Sequence, residues 1–274
     1  MVCRDLLMRT RVSDVMLPCS TFVKPSDLMT RARSVMRTSG LRTLPVLDDD
    51  GRLRGIITAR QLLRITSTRS NITVSGLMFP PRLISTPSDN LLKLAKNMIE
   101  FETSLVPVTK GLGDQNVMGV VRLEDVLRHV AKSLKPSRLT VGDIMTEEVV
   151  SCSPEDGISR VWDLMEETRY SGLPVTRYNR PKHAIEVIGM ITRSDIIRYG
   201  AIRLAEESDK GRFRSSPRVH SLMRTPAITA PPTTPLSEAV NLMLKRNIGR
   251  LPVVERGKLM GLVSRADVVE ACIR

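Results

Sequence analysis

Apolar residues recur along the chain at helical spacing, and each such stretch leads into two short β-rich runs. Leu91, Leu94, Ala95, Met98 and Ile99 form an i, i+3, i+4, i+7 stripe, and Leu236, Ala239, Val240, Met243 and Leu244 form another. These stripes predict half-buried helices. Pro25-Ser26-Asp27, Pro87-Ser88-Asp89 and Pro154-Glu155-Asp156 stand just ahead of such helices and supply capping side chains. Next come Leu44-Pro45-Val46, Val106-Pro107-Val108, Leu173-Pro174-Val175 and Leu251-Pro252-Val253. A glycine-led run follows each: Gly55-Ile56-Ile57-Thr58, Gly119-Val120-Val121-Arg122, Gly189-Met190-Ile191-Thr192 and Gly261-Leu262-Val263-Ser264. Asp48-Asp49-Asp50-Gly51 and Glu255-Arg256-Gly257 between the runs are turn chemistry, so each pair reads as a hairpin. A second helix is expected after the glycine run, as over Asp195–Tyr199.

The same order occurs four times. Each copy opens with a block of one pattern: Val12–Met16, Val74–Met78, Val141–Met145 and Val219–Met223. The distance from the block methionine to the hairpin proline is 29 residues in every copy, whereas the proline-to-glycine distance is 10, 12, 15 and 9. A fixed core with one variable gap means hairpin loops of different length on a common unit. The unit reads as strand, helix, strand, strand, helix, so the fold class is α/β. At about 60 residues such a unit is marginal alone and needs a partner to cover its sheet.

Composition narrows the function classes. Aromatic residues are 3% of the 274, so the core is aliphatic and methionine-rich. The cysteines Cys3, Cys19, Cys152 and Cys272 are scattered, with no C-x-x-C pair, which argues against a zinc ribbon or redox couple. His129, His183 and His220 are isolated, so no metal is expected. No phosphate-binding glycine loop, nucleophile elbow or H-E-x-x-H motif occurs, so no catalytic residue is assigned and a non-enzymatic protein is expected. The absence of a long apolar run predicts a soluble, cytoplasmic chain without membrane contact.

The V-x-D-h-M, L-P-V and G-h-h-[ST]-x-x-D blocks together resemble the CBS domain, and the resemblance covers nearly the whole chain. It implies βαββα repeats over residues 1–68, 69–137, 138–204 and 205–274. It also implies pseudo-twofold pairing of first with second and third with fourth into two Bateman modules forming a flattened disk. The layout is similar to that of the AMP-activated protein kinase γ subunit. In the family, the cleft between paired repeats takes AMP, ADP or ATP as a regulatory ligand. The resemblance places the hydroxyl of the last block at the phosphates and the aspartate three residues on at the ribose diol. Thr192 and Asp195 with Arg193, and Ser264 and Asp267 with Arg265, keep that pattern. The first repeat has Thr58 but Gln61, and the second has Asp125 but Arg122. Arg250 matches a phosphate-contacting position of the γ subunit, so the third and fourth repeats are expected to be the more competent for nucleotide. Asp195 and Asp267 can equally cap the helices they begin.

The charge is a separate clue. The net charge is +13, and residues 1–137 hold 21 basic against 12 acidic residues, an excess of nine where the nucleotide pattern is weakest. Arg4, Arg9, Arg11, Arg31, Arg33, Arg37, Arg60, Arg64 and Arg69, with Arg212 and Arg214 in a later loop-like stretch, are therefore expected to meet phosphates of structured RNA, most plausibly ribosomal. Scarce aromatics argue against base stacking. Alternatives are a γ-subunit-like regulator of a kinase or other enzyme, with a protein partner, and a DNA-associated regulator. The chain is expected to be a monomer, or a homodimer through its modules.

Overall fold

The computed structural model describes residues 2–63, 71–111, 113–134, 139–181, 183–199 and 216–274. An unanticipated helix α1 (Val2–Arg9) precedes the first repeat. That repeat holds α2 (Met29–Ser39), β1 (Thr43–Leu47), β2 (Leu53–Thr58) and α3 (Ala59–Leu63). The second holds α4 (Leu91–Glu100), β3 (Leu105–Gly111), β4 (Asp114–Arg122) and α5 (Leu123–Ala131). The third holds α6 (Ile158–Glu167), β5 (Gly172–Asn179), β6 (Ala184–Thr192) and α7 (Arg193–Tyr199). The fourth holds α8 (Leu236–Lys245), β7 (Arg250–Glu255), β8 (Lys258–Ser264) and α9 (Arg265–Ile273).

The first strand of each unit is reduced to one parallel bridge: Val23 with Val46, Ser85 with Val108, Cys152 with Val175 and Ala230 with Val253. The methionine blocks themselves begin as short 3₁₀ turns at Val12–Asp14, Val74–Gly76 and Val219–Ser221.

Proline and glycine organise each hairpin. Pro45, Pro107, Pro174 and Pro252 oppose Ile56, Val120, Met190 and Leu262 in the antiparallel ladders. The proline carbonyls accept from the bridge residue, as with Val23 N to Pro45 O at 3.1 Å. The missing proline N–H therefore lies on an edge. The residue opposite turns its backbone outward and exchanges both hydrogen bonds with the paired repeat. Leu17 and Val120 do so at 2.9 and 2.8 Å, Phe79 and Ile56 at 3.1 and 2.9 Å. Thr146 and Leu262 do so at 3.0 and 2.9 Å, Arg224 and Met190 at 2.8 and 3.0 Å. In every case the crossing residue is the one just after the block methionine.

The crossing chain runs directly over the glycine that starts the last block. A Cβ on Gly119 would lie 2.6 Å from the Leu17 carbonyl oxygen, and one on Gly189 2.7 Å from that of Arg224. Gly55 and Gly261 are crowded likewise, at 2.9 Å from the carbonyl oxygens of Phe79 and Thr146. First pairs with second and third with fourth, as the family resemblance implies.

The helices join the two modules. One core unites the second and fourth repeats with α1, through Leu7, Leu91, Met98, Leu127, Val240 and Val268. The other unites the first and third, through Met29, Met36, Leu62, Met165 and Ile196. The apolar stripes read from the sequence thus face the opposite module.

Replacing Gly119 by Ala should destabilise the chain by about 1–3 kcal/mol, because the intruding methyl forces the crossing strand aside. Gly249, whose Cβ would meet nothing within 4 Å, is the control. Urea unfolding of Gly119→Ala and Gly249→Ala measures the difference; equal stability would contradict the crossing.

Candidate functional site

Each crossing residue sits above the end of the partner repeat's second hairpin strand, where the next helix begins. The carboxylate or amide three residues on folds back onto that strand end. What distinguishes the four sites is how much of this acceptor is already used.

In the second repeat Asp125 is saturated. Its Oδ2 accepts from Arg122 N and Nε at 3.1 and 2.8 Å, and its Oδ1 from Arg122 Nη2 and Arg128 Nη1 at 2.7 and 3.1 Å. Arg122, standing where the pattern has a hydroxyl, lies across its own site. In the first repeat the Gln61 carbonyl accepts from Thr58 N and Thr58 Oγ1, which leaves an amide where the pattern has a carboxylate. In the third, Asp195 is only 5% exposed. Its Oδ2 accepts from Thr192 N and Oγ1 at 3.0 and 2.5 Å. Its Oδ1 accepts from Arg224 Nε at 2.8 Å, with Arg198 Nη1 at 3.5 Å.

The fourth repeat differs. Ser264 and Asp267 form a reciprocal cap on α9, with Ser264 N donating to Asp267 Oδ2 at 2.6 Å and Asp267 N to Ser264 Oγ at 3.3 Å. The capping role anticipated from the sequence is present, but it uses one oxygen. Among the described residues no ion pair reaches Asp267. Burial raises its carboxyl above the ordinary range, against the lowering effect of the Ser264 bonds. A cleft with about 120 Å³ of accessible volume opens here, lined by Thr146, Glu148, Val149, Tyr170, Arg250, Leu262, Ser264 and Asp267. It is mostly apolar with a few convergent polar groups, the makeup of a small-molecule site.

Arg250 forms its inner wall. Its Nη2 donates to Ser171 Oγ at 2.6 Å, and Arg42 Nη1, from the other module, donates to the same oxygen at 2.6 Å. Burial depresses the Arg250 guanidinium to about 9, and Arg42 and Arg193 push it further the same way. Arg42 is lowered by burial too, then by Arg265 and Arg193. Neither Arg42 nor Arg250 has a carboxylate partner among the described residues. Both are only partly exposed. Two desolvated cations on one neutral hydroxyl make a site that lacks an anion.

Arg193 and Arg265 stand in the module interface. Arg193 lies 3.0 Å from Glu166, donates to the Met165 carbonyl at 2.7 Å and stacks 5.2 Å from the Trp162 ring centroid. Arg265 donates to Glu124 of the second repeat at 2.8 Å and to Asn247 at 3.1 Å. Both keep a buried Nε–H without an acceptor.

The arginines expected to meet RNA are dispersed. Arg4, Arg9, Arg11, Arg31 and Arg37 are exposed. Arg31 is paired with Asp27 at 3.2 Å. Arg33 is half-buried and points at the Leu62 carbonyl, and Arg60 is paired with Glu166 at 2.5 Å across the module interface. That placement corrects the expectation of a free basic face for these two. Arg64, Arg69, Arg212 and Arg214 lie outside the described residues. Sequence reasoning missed Arg42, Thr146, Glu148, Tyr170 and Ser171. The methionine block pointed to Thr146, since it fixes which residue crosses.

The CBS domain pattern matches residues 12–67, 74–132, 141–202 and 219–274. Protein MJ1404 of Methanocaldococcus jannaschii is 25% identical over 97% of this chain, which spans only 62% of that protein. A 33.4 kDa protein in a ribosomal RNA operon of Thermofilum pendens is 26% identical over 85% of this chain and 81% of its own length. The crystal structure of M. jannaschii protein MJ1225, proposed as an archaeal homolog of the AMP-activated kinase γ subunit, superposes with a TM-score of 0.82. That match has 19% identity and covers 96% and 99% of the two chains. The fold and the fourfold pattern together establish that this chain belongs to the CBS-domain family.

Proposed function

We propose that the protein is a non-catalytic regulator that binds an adenine nucleotide in the cleft of the fourth repeat. One observation carries this reading: Asp267 keeps an uncommitted carboxylate oxygen in a cleft whose inner wall is the unpaired Arg250. The carboxylate accepts the ribose hydroxyls, and the hydroxyl of Ser264 and the Arg42–Ser171–Arg250 cluster receive the phosphates. Leu262 and Val149 offer apolar surface for the base. Two guanidiniums without counter-charge favour ADP or ATP over AMP. Thr58, Asp125, Thr192 and Asp195 are not primary ligands in this reading. Arg193 and Arg265 act through the module interface. Because Arg42 belongs to the other module, a phosphate there changes the interaction between modules, which is the differential affinity regulation needs.

The macromolecular partner is a second reading. Exposed Arg4, Arg9, Arg11 and Arg37 on the first module, with the charge excess, favour structured RNA such as the ribosome over a γ-type enzyme partner. Sedimentation with ribosomes should show binding that falls by orders of magnitude between about 50 and 200 mM salt. A protein that remains at the top of the gradient at low salt contradicts it and favours a protein partner.

Asp267→Ala should weaken ATP binding about tenfold or more by calorimetry. Arg42→Met should weaken ATP more than AMP, and an equal effect on both would contradict phosphate contact by Arg42. Affinity should also depend on pH on the acid side. It should fall as Asp267 protonates, at a pH above the ordinary carboxylate range. In the apo protein Arg250 carries a burial penalty with no carboxylate partner among the described residues. Arg250→Met should therefore stabilise the apo chain at neutral pH by about 1–4 kcal/mol while weakening nucleotide binding.

A further inference from the structure

The third repeat carries the full Thr-x-x-Asp pattern in Thr192 and Asp195, yet both oxygens of its carboxylate are engaged. Oδ2 accepts from Thr192 N and Oγ1, and Oδ1 accepts from Arg224 Nε at 2.8 Å. Arg224 is the residue just after the block methionine of the fourth repeat. The equivalent residue over the fourth repeat's cleft is Thr146, and over the other two sites it is Leu17 and Phe79. All four are fixed in place by the same pair of backbone bonds. The side chain alone therefore decides what stands over each site.

We infer that Arg224 is the specificity-determining residue of a second, latched site for a ribose-bearing nucleotide at Thr192 and Asp195. Its guanidinium takes the carboxylate oxygen that a ribose diol would use, and it is held there by charge. A diol, neutral and donating through O–H groups, competes poorly with a guanidinium for that oxygen. Thr146 lines the fourth repeat's cleft with Asp267 and carries no charge to hold that carboxylate, so the cleft is open. The Arg224 side chain is 47% exposed and Asp195 only 3%, so the arginine can swing into solvent without breaking the core. Its backbone pairing with Met190 does not depend on the side chain. Arg198, 3.5 Å from Oδ1 and 54% exposed, is a weaker second hold. The latch rests on the reading that the fourth repeat binds nucleotide, since that open cleft is the reference for what a free site does.

The test is a gain of stoichiometry. Isothermal titration with ATP, and separately with AMP, should give about one site per chain in the wild type. It should give about two in Arg224→Thr, which copies the residue over the open cleft. Arg224→Ala serves the same purpose if the threonine variant melts early. Adding Asp195→Ala to Arg224→Thr should return the count to one, while adding Asp267→Ala instead should remove the original site and keep the new one. Two sites in the wild type, or one site in both Arg224 variants, would overturn the latch. No binding to the wild type but Asp195-dependent binding to Arg224→Thr would sustain the latch and refute the Asp267 reading. No binding to any variant would refute both.

Discussion

The architecture depends on one close approach, made four times. A backbone segment from each repeat passes over a glycine of its partner at a distance that would bring a Cβ to within 2.9 Å of a carbonyl oxygen. Glycine is required there because any side chain would push the crossing segment off the hairpin. The residue opposite each hairpin proline is in a non-hydrogen-bonded pair, so its backbone N–H and C=O point outward and bond to that segment. The pairing of repeats, and hence the modules, follows from these bonds. So does the placement of one side chain per repeat above its partner's strand end.

The functional asymmetry is then a matter of side chains on a nearly symmetric frame. The four strand ends are alike in backbone and differ in what occupies the acceptor three residues on. Arg122, Gln61 and Arg224 each leave a site without a free carboxylate oxygen, whereas Ser264 and Thr146 leave Asp267 available. The cleft at Asp267 is walled by Arg250, which shares the Ser171 hydroxyl with Arg42 of the other module. Elsewhere in that interface arginines are matched by Glu124 and Glu166. At Arg42 and Arg250 they are not. A ligand that supplies the missing negative charge removes a desolvation penalty rather than merely adding a contact.

Much of the frame was legible in the sequence, because repetition exposes it. The spacing of 29 residues, the helical stripes and the proline and glycine positions sufficed for the unit, and the family resemblance they carry implied its pairing. The sequence did not reveal α1, whose short amphipathic pattern has no counterpart in the repeat. Nor did it show the reduction of each first strand to a single bridge, a matter of curvature rather than composition. At the site, Asp195 and Asp267 look alike in sequence. Their difference lies in Arg224, distant in the chain and brought near only by the crossing. Arg42 was hidden in the same way, since it belongs to the repeat farthest in sequence from the arginine with which it shares Ser171. The charge excess did not reveal that Arg33 is half-buried or that Arg60 is paired with Glu166, which composition cannot distinguish from an open basic face.

The account's central claim is that the acceptor left free at Asp267, backed by Arg42 and Arg250, selects one occupied site among four similar ones. A crystal structure grown with ADP tests this most directly. The account predicts density for one nucleotide per chain, its ribose on Asp267 and its terminal phosphate between Arg42 and Arg250. Nucleotide at Asp195 or Asp125 with the Asp267 cleft empty would contradict it.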